Sequence, residues 1–340
     1  MFLPIKTDRL LLRPAEPDDA LSLAARRSDA DVARFQSWTT PYDLKRAEQL
    51  LDAVVAQPEP QDDQWWMLTI VDEHDTIVGD LAIHPSWGGR SVEIGYTLAR
   101  AHWGKGYATE AVAALAEYYF TQTDAVRLHA MLHPDNHASA AVLERTGFIY
   151  EGRTKLSYWV GSENTDDLLY GMTRADWRAW RDRPPQPPTE VTLVPIDSAN
   201  KRAVSQLATH QSQLRFVAPV AMAIREALFP DLVDGHPATP WLRAIEADGE
   251  LAGIVLLATM NEHHDEPILW RLLIDRSQQR RQIGSRVLDL VIEECRAQGA
   301  TSLLIDWTEG PGSPRSFYEA RGAVTTGRIV DGETEARLVF

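Results

Sequence analysis

A short glycine-bearing stretch, Trp103 to Thr109, has the residue types and spacing of a phosphate-binding turn. It follows the segment from Val92 to Leu98, whose alternation of apolar and other residues predicts a half-buried strand. It precedes a run of good helix formers that begins at Glu110. A strand, a glycine turn and a helix in this order leave free backbone N–H groups at the positive end of the helix, where phosphate binds. Glycine suits the turn because a Cβ would keep an anion away from the backbone.

Two sets of polar side chains near this turn could do proton chemistry. Glu93 lies on the predicted strand, and a carboxylate there could attract a cationic amine or take its proton through water. A solvated strand carboxylate fits the same position, so both roles stay open. Asn136 and Ser139 follow a second predicted strand, Arg127 to Leu132. Either of them could simply cap the helix that comes next.

The elements that would position these residues occur twice along the chain. Each half reads as a strand, a helical segment, a β-hairpin, a strand with a glycine-bearing turn, an amphipathic helix, a strand, a polar loop and a last helix ending at glycine. The proline-rich segment 184–189 separates the halves and predicts a stiff, extended linker. The sequence therefore predicts two domains, 1–183 and 190–340, each with a mixed α/β fold.

Composition narrows the classes of function. The chain has 340 residues and a formal net charge of −15, which disfavours nucleic-acid binding and favours either cationic partners or simple solubility. We expect no membrane span, because no apolar run approaches the required length of about 20 residues. The N-terminal stretch lacks the pattern of a signal peptide. Cys295 is the single cysteine, so an internal disulfide is impossible and a reducing, cytoplasmic setting is expected.

With these motifs in view, both halves resemble the GNAT family of N-acetyltransferases. The family signature, Gln/Arg-x-x-Gly-x-Gly/Ala, joins a strand to a helix and holds the pyrophosphate of acetyl-CoA. The resemblance implies two GNAT folds in tandem, each a central, mostly antiparallel sheet flanked by helices. The first half is similar to ribosomal-protein alanine acetyltransferases through Thr7 to Arg13, Glu93 to Tyr96, Trp103 to Ala111, Asn136 to Ser139 and Gly147-Phe148.

This resemblance assigns expected roles in the first half. Ser139 would donate a hydrogen bond near the sulfur, and Asn136 would hold the pantetheine arm. Glu93, on the strand that should line the cleft, stays the candidate base with the open roles given above. The residues expected to bind acetyl-CoA are Ile94, Tyr96, Thr97, Leu98, Trp103, Gly104, Lys105, Gly106, Tyr107, Ala108, Thr109 and Asn136.

The second half resembles bacterial spermine/spermidine acetyltransferases. Tyr318 matches the tyrosine that protonates the thiolate, although it could instead be a core aromatic residue. The residues expected to bind acetyl-CoA are Leu272, Leu273, Ile274, Gln279, Arg280, Arg281, Gln282, Ile283, Gly284 and Ser285. Two departures weaken the match: Gln282 replaces the first signature glycine, and residues 310–314 replace the asparagine-bearing loop.

The favoured function is an acetyl-CoA-dependent N-acetyltransferase in which a primary amine attacks directly in a ternary complex. The acceptor could be a small-molecule amine, a polyamine, an antibiotic or a protein N-terminus. Cys295 lies on a predicted helix, which argues against a thiol relay, and the histidine spacing predicts no metal site. The alternative is one catalytic domain beside a degenerate binding or interface domain. A homodimer and a monomer both stay open.

Overall fold

The computed structural model describes residues 4–161, 163–230, 232–233 and 235–340. The chain divides into two compact units, Met1–Asp182 and Arg183–Phe340. Each unit is a mixed α/β fold with a mostly antiparallel sheet flanked by helices, which confirms the predicted fold class. Across the described residues, no helix combines the length and the apolarity needed to cross a bilayer.

The first unit contains a long sheet with helices on both faces. Its strands are β1 (Ile5–Lys6), β2 (Leu10–Pro14), β3 (Trp66–Asp72), β4 (Ile77–Ser86), β5 (Ser91–Leu98), β6 (Arg127–Leu132), β7 (Ile149–Val160) and β8 (Glu163–Thr173). Its helices are α1 (Ala20–Ser28), α2 (Ala30–Ala33), α3 (Leu44–Val55), α4 (Tyr107–Gln122), α5 (His137–Arg145) and α6 (Arg174–Asp182), with 3₁₀ turns at Pro17–Asp19 and Arg100–His102.

The first sheet opens between its two parallel strands. Its order is β1-β2-β3-β4-β5-β6-β8-β7, and β5 and β6 are its parallel pair. Their pairing runs from Ser91–Arg127 to Glu93–His129 and stops there. Antiparallel pairing of β5 with β4 continues to Leu98. The second half of β5 therefore has unpaired backbone groups facing a gap beside β6.

Helix α4 fixes one side of this gap. Its buried face, which includes Val112, Leu115 and Phe120, packs in the same core as Val92 and Ile94 of β5. Burying each such aliphatic side chain stabilises the fold by about 1.5–3 kcal/mol. The same packing holds the N-terminus of α4 near the open end of β5.

The second unit repeats this plan with a shorter sheet. Its strands are β9 (Val191–Val194), β10 (Leu232–Val233), β11 (His236–Pro237), β12 (Thr239–Ala247), β13 (Glu250–Thr259), β14 (Ile268–Ile274), β15 (Ser302–Trp307), β16 (Val324–Val330) and β17 (Glu333–Val339). Its helices are α7 (Lys201–Val204), α8 (Val220–Leu228), α9 (Ile283–Ala297) and α10 (Arg315–Glu319), with a 3₁₀ turn at Gln211–Gln213.

The second sheet also opens at a parallel pair. Its order is β16-β17-β15-β14-β13-β12-β9, while β10 and β11 form a separate hairpin. Strands β14 and β15 pair only at Ile268–Leu304 and Leu269–Ile305. The register of β14 against β13 shifts beside Trp270, which places a bulge there. Because a bulge bends a strand, it favours the divergence of β14 from β15.

The proline-rich segment packs against the second unit. Arg281 donates from Nε to the carbonyl of Gln186 over 3.0 Å. Asp248 Oδ1 accepts from the backbone N–H of Thr189 over 2.8 Å. Arg286 donates to the carbonyls of Pro188 and Thr189. The predicted linker is therefore held by side chains of the second unit, while the exact domain limits at 183 and 190 stay predictions.

Candidate active sites

The glycine turn of the first unit forms an anion cradle after β5. Gly104 and Gly106 have φ of 73° and 83°, in the left-handed region that favours glycine. Gly106 is the N-cap of α4. Among the described residues, the backbone N–H groups from Gly104 to Thr109 donate to no protein acceptor. Free amides at the start of a helix are the chemistry that binds a phosphate or diphosphate.

Arg9 and Glu110 anchor this turn, a role that sequence reasoning missed. Arg9 donates from Nη1 to the carbonyl of Lys105 over 3.0 Å and from Nε to Glu110 Oε2 over 2.8 Å. Thr7 Oγ1 donates to the other carboxylate oxygen of Glu110 over 2.6 Å. Burial alone would raise the pKa of Glu110, but these hydrogen bonds hold it below its usual value. The signal was present in Thr7 to Arg13, which carried the family resemblance.

The polar pair of α5 lies beside the open part of β5. Tyr96 on β5 donates from its hydroxyl to the carbonyl of Ser139 over 2.8 Å. Asn136 Oδ1 accepts from the backbone N–H of Ser139 over 3.2 Å, so Asn136 is a helix cap. The Ser139 hydroxyl and the Asn136 amide nitrogen have no partner among the described residues. Both groups therefore remain available to a bound molecule.

Glu93 occupies the middle of a row of titratable side chains. His84 is its partner on β4 and His129 its partner on β6, so the three side chains share one face of the sheet. His129 Nε2 lies 3.9 Å from Glu93 Oε2. Burial raises the pKa of Glu93, opposed by the positive field of His84. Burial, helped by Arg127, lowers the pKa of His129.

The raised pKa makes Glu93 a stronger base than a solvated carboxylate, and the lowered pKa of His129 favours its neutral imidazole. The histidines were missed because only the strand register brings them to Glu93.

The other predicted β5 residues contribute in different ways. Ile94 and Thr97 are buried, so they offer a ligand their backbone rather than their side chains. Tyr96 and Leu98 are half-buried and pack at the edge of the core. Trp103 is half-exposed, and its Nε1 donates to the carbonyl of Leu98 over 2.9 Å. That bond closes the turn from strand to helix.

The second unit has a cavity of about 500 Å³ in the opening beside β14. Of the predicted cofactor-binding residues, those that line it are Leu272, Ile274, Gln279, Arg280, Gln282, Ile283, Gly284 and Ser285. Leu273 points into the core on the other side of β14. The guanidinium of Arg281 is bound to Gln186 and Gln278, and Arg281 is not among the residues that line the cavity.

The turn between β14 and α9 has the backbone conformation of the glycine turn in the first unit, although it lacks both glycines. Arg280 and Gln282 have φ of 63° and 61°, and Gln282 is the N-cap of α9. These positions match Gly104 and Gly106 of the first unit. A non-glycine residue in this region costs about 1–2 kcal/mol. Gln282 therefore adds strain but does not abolish the turn.

Gln279 occupies the position in the second unit that Trp103 has in the first, and its side chain makes the equivalent hydrogen bond. Its Nε2 donates to the carbonyl of Ile274, the last residue of β14, over 3.0 Å. In the first unit, Trp103 makes this bond to the last residue of β5. The first signature position therefore closes the turn in both units.

Tyr318 is both a packed aromatic residue and a cavity residue. It is 7% exposed and stacks on Trp307 with ring centroids 6.0 Å apart. It also lines the cavity, and within the described chain its hydroxyl has no hydrogen-bond partner. Burial raises its pKa well above the ordinary value, so the hydroxyl stays protonated and can donate. The two predicted roles of Tyr318 are thus compatible.

Comparison with known proteins places these features in a family. Residues 9–149 match the acetyltransferase (GNAT) domain model, and residues 206–323 match the acetyltransferase (GNAT) family model. The "Uncharacterized N-acetyltransferase p20" of Bacillus licheniformis is 35% identical over 149 residues, covering 43% of this chain and 82% of that protein. The "Ribosomal-protein-serine acetyltransferase" of Escherichia coli is 33% identical over 81 residues, covering 24% and 45%.

A solved acetyltransferase (GNAT family) from Bacillus anthracis is 25% identical, with a TM-score of 0.46, and covers 51% of this chain and 99% of its own. Among these relatives is a ribosomal-protein-serine acetyltransferase, and the relatives named here do not show the spermine/spermidine resemblance of the second half. The chain belongs to the GNAT family, carries two GNAT domains in tandem, and is an N-acetyltransferase.

Proposed function

We propose that the first unit transfers an acetyl group from acetyl-CoA to a primary amine by direct attack. The observation that carries this proposal is the row of free backbone N–H groups from Gly104 to Thr109 at the open end of β5. Acetyl-CoA carries a diphosphate for these amides and a thioester for the amine. The pantetheine amides suit the edge of β5 that faces β6, because the pairing of β5 with β6 stops at Glu93.

The residues of the first unit fit the proton steps. Glu93 takes a proton from the ammonium form of the acceptor, directly or through water, and the imidazole of His129 lies 3.9 Å from its carboxylate. The free hydroxyl of Ser139 donates to the departing sulfur. Burial raises the pKa of Cys295 to about 11, so its thiol is a poor nucleophile at neutral pH. This supports direct attack over a cysteine relay.

The acceptor is proposed to be a protein N-terminus or a small primary amine, which includes polyamines and amine-bearing antibiotics. The ribosomal-protein-serine acetyltransferase of Escherichia coli favours the first of these. The net charge of −15 favours a cationic acceptor of either kind. A cytoplasmic location and a homodimer remain predictions.

Substitution of the turn glycine tests the cofactor site. Gly106→Ala places a Cβ at φ 83°, 3.4 Å from the guanidinium of Arg9, and should raise the KM for acetyl-CoA at least fivefold. Gly249→Ala is the matched control. Gly249 also has a positive φ, of 80°, but an added Cβ there would have no atom within 4 Å. Thiol release is measured with a panel of amines. Equal KM values for the two variants would contradict the cradle, and no turnover by the wild type on any amine would contradict the function.

An alternative assigns catalysis to the first unit and ligand binding alone to the second. It is supported by Gln282 in place of glycine and by the loop 310–314. Calorimetric titration with acetyl-CoA separates the two cases. A stoichiometry near one per chain supports a degenerate second unit that no longer binds acetyl-CoA. A stoichiometry near two supports two cofactor sites.

A further inference from the structure

The glutamate of the first unit has no counterpart at the same place in the second. The pairs Gly79–Leu98 and Gly253–Ile274 end equivalent strand ladders. Counting along those ladders brings the pair Ala258–Ile268 to the place of His84–Glu93. Leu304, the partner of Ile268 on β15, takes the place of His129. The titratable row of the first unit is therefore entirely apolar in the second.

A different carboxylate lies close by on the same face. Asp306 is two residues beyond Leu304 on β15, so both side chains face the same side of the sheet. Asp306 lines the cavity together with Tyr318. Its Oδ1 atom is buried and has no hydrogen-bond partner within the described residues. A buried acceptor without a partner is unfavourable for the free protein and is suited to a donor supplied by a ligand.

The neighbouring charged groups are already engaged. Glu335, the β17 partner of Asp306, accepts from Thr326 over 2.7 Å and lies near Arg328. Glu333 accepts from Thr308 over 2.6 Å. On the β14 side, Arg271 donates to Glu226 over 2.8 Å. Asp306 is thus the carboxylate that the cavity leaves free.

These neighbours also set the proton affinity of Asp306. Burial, with the negative charges of Glu335, Glu333 and Asp331, raises its pKa to about 6, while Arg328 opposes the shift. A base with a pKa near the working pH is efficient in proton transfer. The carboxylate form of Asp306 therefore predominates above pH 6 and can accept a proton from a bound ammonium group.

We propose that the second unit is a second acetyl-transfer centre in which Asp306 of β15 is the base, in place of a glutamate on the preceding strand. The inference rests on the proposed function and extends it to this cavity. The acceptor is a primary amine that enters as its ammonium form. Tyr318 is the proton donor to the leaving sulfur.

The proton steps balance within these residues. Asp306 takes one proton from the ammonium, and the freed nitrogen pair forms a bond to the acetyl carbon. The bond from that carbon to sulfur breaks, with its electron pair going to sulfur. Tyr318 gives its hydroxyl proton to the sulfur and regains a proton from the new amide nitrogen. Asp306 then releases its proton to solvent.

The activity test uses full-length protein in which the first centre is disabled by Glu93→Gln with Ser139→Ala. This background should keep measurable thiol release with at least one amine of the panel. Asp306→Asn or Tyr318→Phe in this background should lower kcat at least tenfold. Asp306→Asn should also remove the fall in kcat/KM below pH 6. Asp265→Asn is the matched control, because Asp265 is exposed and lies outside the cavity lining.

A second measurement needs no substrate. Because the folded-state pKa of Asp306 lies above its unfolded value, the ionised form destabilises the fold above pH 6. In the otherwise wild-type chain, Asp306→Asn should raise the melting temperature of the second unit at pH 8 by about 2–4 °C relative to Asp265→Asn. At pH 4 the two variants should melt together. An unchanged melting temperature at both pH values contradicts a free, buried carboxylate.

The remaining outcomes separate the inference from the function on which it rests. A wild-type chain that neither binds acetyl-CoA nor acetylates any amine contradicts the proposed function itself. An active wild type whose disabled background has no turnover overturns the second centre alone. The same holds if Asp306→Asn keeps the rate and pH profile of Asp265→Asn.

Discussion

At the scale of single residues, the two units place their proposed proton acceptors on different strands. The first unit has Glu93 on β5, flanked by His84 and His129. The second has apolar residues at that row and Asp306 on β15. Both carboxyls have a raised pKa, and burial is the main cause in both. An open sheet offers two strand edges to its cleft, so either edge can carry the base.

Glu93 gives a prediction at this scale. Glu93→Gln keeps the shape and removes the base, so kcat/KM of the first centre should fall about 100-fold, within the range typical of lost general-base catalysis. The acid limb of the pH profile, which reports protonation of Glu93, should disappear with it. Glu117→Gln, on the exposed face of α4, is the control. Both quantities come from initial rates measured between about pH 5 and 9 in a chain that carries Asp306→Asn with Tyr318→Phe, so that the rates report the first centre alone. A retained acid limb would show that another group takes the proton.

Sequence reasoning reached part of this picture. Glu93 could be selected from its place on a predicted strand, and Tyr318 from its match to a tyrosine of the family that the second half resembles. His84 and His129 could not be selected, because strand register, not sequence distance, brings them to Glu93. Asp306 was hidden for a similar reason, since it lies inside a short apolar strand whose cavity face appears only in three dimensions.

At the scale of elements, the strand–turn–helix unit tolerates a change of residue when the hydrogen bond is kept. Trp103 and Gln279 make the same bond to the end of the preceding strand. Gln282 takes the backbone conformation of Gly106 at the helix N-cap. The turn therefore changes less than the replacement of glycine by Gln282 suggests. The residue type sets the free-energy cost of the left-handed conformation, and packing in the folded unit decides whether the residue adopts it.

The hairpin β7–β8 shows why some secondary-structure elements could not be predicted from the sequence. Sequence reasoning did not identify it, although it is the longest pair of strands in the first unit. Strand β7 lies at the sheet edge and is mostly exposed on both faces. Without a buried face it has no apolar alternation to detect. The strand from Val92 to Leu98, by contrast, was found because one of its faces is buried.

The anchor behind the glycine turn gives a prediction at the element scale. Glu110→Gln weakens the bonds from Arg9 and Thr7, so the first unit should lose about 1 kcal/mol of stability at pH 7. The KM for acetyl-CoA should rise several-fold. Because the pKa of Glu110 is lowered in the fold, its contribution is present above the unfolded pKa and is lost as pH falls through the folded value. Melting of wild type and variant should therefore converge in acid.

Differential scanning calorimetry at pH 7 and in acid measures this effect. Glu117→Gln on the same helix is the control, since its side chain is exposed. A difference between Glu110→Gln and wild type that stays constant with pH would show that the carboxylate charge does not hold the turn.

At the scale of the whole molecule, the junction between the two domains is bound by the second unit. Arg286 on α9 donates to the carbonyls of Pro188 and Thr189, and Asp248 accepts from the N–H groups of Thr189 and Glu190. The proline content predicts a stiff, extended segment, which stays a prediction, and composition cannot show which side chains hold that segment. These contacts make the stretch before β9 part of the second fold.

Limited proteolysis tests this organisation. Arg286→Met keeps the aliphatic stem and removes both bonds to the junction, so cleavage within residues 183–190 should accelerate several-fold. The products expected are two fragments that each retain a cooperative melting transition, since each unit has its own core. Arg296→Met, on the same helix and packed on Phe340, is the matched control. Equal cleavage rates for the two variants, or a single fragment that survives while the other is degraded, would argue against two independently folded domains meeting at this segment.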